Sequence, residues 1–88
     1  MEKRMGVVGI VVENLEKAAE INTVLHNYAA VIVGRMGIPY RERGVSVISL
    51  IVDGNHDQIS AMTGKLGRIR GVTVKTALAK GRAAEKDG

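Results

Sequence analysis

Two stretches of this chain leave no wet side for a strand. Met5-Gly-Val-Val-Gly-Ile-Val-Val12 and Val45-Ser-Val-Ile-Ser-Leu-Ile-Val52 are rich in β-branched residues and largely apolar at both odd and even positions. Successive side chains of a strand point to opposite faces, so a strand with one face in water alternates apolar and polar. A run that is apolar at both parities belongs in the middle of a sheet, with cover on each side.

The segments around these runs supply the other elements. Asn14 is placed to cap a helix, and Leu15, Ala18, Ile21, Val24, Leu25 and Tyr28 then recur at three- and four-residue spacing, which predicts a helix ending near Tyr28 or Ala29. Val31 to Met36 reads as a second strand, ended by Gly37 and Pro39, and Tyr40 to Gly44 as a polar, basic connection. Asp53-Gly54 predicts a turn after the third strand. Asn55 with Gln58 three residues later resembles a capping box. Ile59, Met62, Leu66 and Ile69 mark a second helical stripe, which Gly67 or Gly71 can stop. Val72 to Leu78 alternates and reads as an edge strand.

The order is β-α-β-β-α-β. Right-handed crossovers then give an α+β, ferredoxin-like sandwich, a four-stranded antiparallel sheet with two helices on one face. Strands one and three fall in its centre, and these are the two doubly apolar runs. Residues 1–78 form one domain, and residues 79–88 are expected to be a disordered tail, having little to bury.

Two helices cover one face of such a sheet. The other face would carry an apolar row from each central strand, for strand one either Val8, Ile10 and Val12 or Val7 and Val11. Large apolar patches on globular domains mark interfaces. The core must also be built without Phe or Trp and with only two Tyr in 88 residues. A domain this short is marginal alone. A homodimer or homotetramer with sheet-face or edge contacts is the expected form.

Several function classes drop out. The absence of Cys excludes disulfides, thiolate metal sites and thiol nucleophiles, and fits a cytoplasmic location. No apolar stretch reaches the length of a membrane span, and the run from Met5 is cut short by Glu13, unlike a signal peptide. The net charge of +4 is scattered and partly in the tail; without a basic face or stacking aromatics, direct nucleic-acid binding is not expected. Asp53-x-Asn55-x-Asp57 opens like a calcium loop but lacks Gly at the sixth and Glu at the twelfth position. Gly64-Lys65 lacks the rest of a phosphate-binding loop, with Ile59 and Leu66 where Gly and Ser/Thr are required. His26 and His56 have no third ligand at recognisable spacing, so no metal or other cofactor is expected. Ser46, Ser49 and Ser60 lie in no nucleophile elbow. Acylphosphatases share this fold, but Glu13-Asn14-Leu15 replaces their Gly-rich, Arg-bearing loop. No catalytic residue emerges, and the chain reads as a non-enzyme. Arg35, Tyr40, Arg41 and Arg43 cluster at the strand two to strand three hairpin. There they can protect an edge or bind an anion through the bidentate guanidinium fork.

Leu25-His-Asn-Tyr-Ala-Ala-Val-Ile-Val-Gly-Arg-Met-Gly-Ile-Pro-Tyr-Arg-Glu-Arg43 and Thr63-Gly-Lys-Leu-Gly-Arg-Ile-Arg-Gly-Val-Thr-Val-Lys75 together resemble the family of iron-only hydrogenase system regulators. The resemblance spans nearly all of residues 5 to 78. It implies an ACT-like fold, similar to the C-terminal effector domain of nickel-responsive regulators, with oligomers and a regulatory, transcriptional role. The nickel-site Cys of those regulators has no counterpart here. The Gly after strand one of amino-acid-binding ACT domains is also missing, and no DNA-binding segment precedes the domain. Control of DNA would pass through a separate regulatory protein. The expected effector site lies at a subunit junction, lined by His26, Arg35, Tyr40 and Arg41. The alternative is a structural or protein-interaction module with no small ligand.

Overall fold

The computed structural model describes residues 2–80. Four strands and two helices follow the expected order. They are β1 (Lys3–Val12), α1 (Ala18–Asn27), β2 (Ile32–Tyr40), β3 (Val45–Asn55), α2 (His56–Gly67) and β4 (Val72–Leu78). The sheet is antiparallel throughout, with strand order β2-β3-β1-β4. The two doubly apolar runs are the two central strands, and both helices lie on one face.

Parity decides which residues form the core. Val8, Ile10 and Val12 of β1 and Ile48, Leu50 and Val52 of β3 turn toward the helices and are buried. They meet Ile21 and Leu25 of α1 and Ile59, Met62 and Leu66 of α2. Of the two rows weighed for the uncovered side of β1, Val7 and Val11 are the pair that lies there.

Local chemistry sets the boundaries. Asn14 caps a single 3-10 turn, Leu15–Lys17, by accepting from the Glu16 N–H at 3.0 Å, and α1 begins only after it. The capping box at α2 is complete. Asn55 Oδ1 accepts from the Gln58 N–H at 2.8 Å, and Gln58 Oε1 accepts from the Asn55 N–H at 3.0 Å. After α2, Gly71 takes φ +80°, the left-handed region glycine enters freely, and leads into β4.

Two strands run further than their sequence suggests. β2 continues through Gly37 and Pro39 to Tyr40. It is an edge strand, and an edge has an unpaired side on which a missing N–H costs no ladder bond. β3 continues through Asp53 and Gly54, which pair with Met5 and Arg4 of β1. The chain turns at the capping box instead, with no loop between β3 and α2. Residues 79 and 80 carry no regular structure, and the rest of the expected disordered tail lies outside the described residues. No described helix is long and apolar enough to cross a membrane.

Candidate functional site

α1 lies over the β2 side of the sheet and leaves a crevice where its first turns meet β2 and β3. The floor is the end of the core, Val12 and Ile48, and the walls include Leu15, Ala18, Gly37 and Pro39. Its volume is about 260 Å³. Leu15 is 54% exposed at its rim, an apolar side chain left in water. Arg35, Asn22 and Ser46 supply the polar groups. The Arg35 guanidinium donates to Asn22 Oδ1 at 3.3 Å, which ties the edge strand to the helix. Arg35 has no carboxylate partner among the described residues.

Arg35 also borders a second hollow further along α1, which it shares with Asn22, Leu25, His26, Ala29 and Ile32. His26 and Arg35, expected together from the sequence, therefore line the same hollow, which adjoins the crevice at Asn22 and Arg35. Tyr40 and Arg41 line neither. Register explains Tyr40. Arg35 and Pro39 pair with Leu50 and Ser46, on the helix-covered face, whereas Tyr40 pairs with Val45 and shares the uncovered face with Met36 and Ile38. Arg41 sits in the exposed 3-10 turn Arg41–Arg43 that joins β2 to β3.

The place of Asn22 and Ser46 in the groove escaped the sequence reading. Asn22 is simply a polar residue beside an apolar stripe, and only the packing of α1 onto β2 brings it to Arg35. Ser46 enters the sequence reading only as a candidate nucleophile and is set aside there. No described aspartate or glutamate lines either part of the groove.

The uncovered face is the second feature of note. Val7 and Ile51 pair directly and are 43% and 40% exposed, as Val11 and Val47 pair and are also exposed. Met36 and Ile38, at 61% and 55% exposure, extend the patch onto β2. Gly9 and Ser49, opposite each other, leave its middle shallow.

A family model described as "TM1266-like: Iron-only hydrogenase system regulator, putative" matches residues 4–76. The uncharacterized protein TM1266 from Thermotoga maritima is 45% identical over 90% of this chain and all of its own, with a TM-score of 0.85. A formyltetrahydrofolate deformylase from Pseudomonas putida KT2440 matches at 10% identity and TM-score 0.64, over 89% of this chain but 30% of its own. CutA1 from Oryza sativa matches at 15% identity and TM-score 0.53, over 97% and 88%. The last two show a shared fold alone. No curated protein matches the chain.

Proposed function

Since this chain belongs to the TM1266-like family of iron-only hydrogenase system regulators, we propose that it is a non-enzymatic regulatory module working as a homo-oligomer. Subunits join through the uncovered sheet face, and a small effector binds the groove beside α1. The observation that carries the reading is the apolar patch of Val7, Val11, Met36, Ile38, Val47 and Ile51, which lies on the side of the sheet that has no helices. An apolar surface of that kind on a small domain gains stability when a second copy removes it from water.

Regulation then needs a difference in affinity. An effector that binds one arrangement of the oligomer better than another shifts the population toward it, by no more than that difference. His26 and Arg35 are the proposed contacts in the groove. Tyr40, on the uncovered face, and Arg41 beside it belong to the subunit junction. The output passes to transcription through a separate regulatory protein, and the module acts in the cytoplasm.

The reading is tested by disrupting the gene in its own host and measuring iron-only hydrogenase transcript, protein and activity. A change in at least one of these, reversed by restoring the gene, is expected. Hydrogenase levels and activity that stay unchanged under every growth condition that induces the enzyme would overturn it.

A further inference from the structure

The groove carries the cation Arg35 and no described carboxylate, which suits an anion. We propose that it binds a small aliphatic monocarboxylate, its carboxylate on Arg35 and its hydrocarbon body in the crevice against Val12, Leu15, Pro39 and Ile48. The proposal rests on the reading of this chain as an effector-responsive module and names the effector's chemistry.

Three observations converge on that class. Arg35 is a cation at the mouth of an apolar crevice, held there by Asn22 and without an acidic partner among the described residues. A guanidinium matches a carboxylate with two parallel hydrogen bonds, and Asn22 takes only one of its donors. The remaining surface is largely aliphatic, and Leu15 stands exposed over it as though awaiting a partner. Ser46 adds a hydroxyl with no hydrogen bond to another described group.

Size and missing charges narrow the class. The crevice, at about 260 Å³, is smaller than the roughly 300–1,000 Å³ of pockets for drug-sized molecules. A body of a few carbons fits. An α-amino acid would bring an ammonium group next to Arg35, with no aspartate or glutamate lining the groove to receive it. A dicarboxylate or nucleotide whose body entered the crevice would place its second charge against Val12, Leu15 or Ile48. The acid without the amine is the ligand left.

The test is titration calorimetry and thermal unfolding of the full chain with 4-methylpentanoate, 4-methylpentanamide, leucine and inorganic phosphate. The acid should raise the unfolding midpoint in step with its concentration. The amide and leucine should bind at least about tenfold more weakly, the amide because it lacks the charge-assisted bond. Arg35→Gln should abolish the response. Ala18→Leu, which keeps the cation and fills the crevice, should abolish it too. Acid binding that survives both substitutions would overturn the site. Leucine or phosphate binding better than the acid, and depending on Arg35, would overturn the ligand class while leaving the effector reading standing. No response to any of the four probes would overturn this proposal, while the hydrogenase measurement decides the regulatory reading separately.

Discussion

Gly54 lies within β3, where a side chain would seem harmless. A Cβ built there would sit 2.7 Å from Val31 Cγ1 and 3.1 Å from Gln58 Oε1. Val31 is almost fully buried, and Gln58 is held in the capping box, so neither yields freely. The residue that resembles half of an Asp-Gly turn is a glycine because the backbone must pass close under the segment after α1. Gly54→Ala is expected to destabilise the fold by about 1–3 kcal/mol, the usual cost of forcing an extra carbon into a packed site. Urea unfolding measures it. Combined with Val31→Ala, the cost should fall short of the sum of the two single changes, since each relieves the other. Additive losses would show that the close approach does not limit packing at Gly54.

At the level of the element, adjacent residues of one strand have separate tasks. Leu50 is fully buried in the core beneath the helices, and Ile51 is 40% exposed on the other face. Leu50→Ala should cost about 2–5 kcal/mol in unfolding stability, the transfer and cavity terms together. Ile51→Ala should cost the dissociated chain much less and appear in association instead. Equal losses at high dilution would contradict this division. The same alternation explains what could be read in advance. Strand order followed from the order of elements and right-handed crossovers, and the two runs apolar at both parities agreed with it by falling in the centre. The length of β2 did not follow, since Gly37 and Pro39 end most strands, and only its place at the edge lets it run on. That error hid a further point. Once β2 reaches Tyr40, parity separates Tyr40 from Arg35, and Arg41 and Arg43 are left in the connecting turn, so the cluster in sequence does not form one site. His26 and Arg35 come together through the docking of α1, a tertiary event with no signature in local spacing. Asn22 was invisible for the same reason.

For the whole molecule, the governing fact is a sheet with helices on one side only. A charge placed in the middle of the apolar side should stop association without touching the core. Ile51→Lys is therefore expected to sediment as a 9.4 kDa monomer, while the unsubstituted chain sediments as a dimer or tetramer. Identical behaviour of the two at micromolar concentration would remove the basis for assembly through this face. The hydrogen bond from the Ala79 N–H to the Met5 carbonyl, 2.9 Å long, and the pairing of Gly6 with Leu78 have a practical corollary. The polypeptide enters and leaves this domain at one corner, on the β4 side. Arg35 lies across the sheet on β2, and Val12 lies about 23 Å along β1 from Met5 at the usual rise per residue. A fluorophore, affinity handle or tethered protein attached at that corner can report on the molecule without standing in the doorway of the crevice at Val12, Leu15 and Ile48.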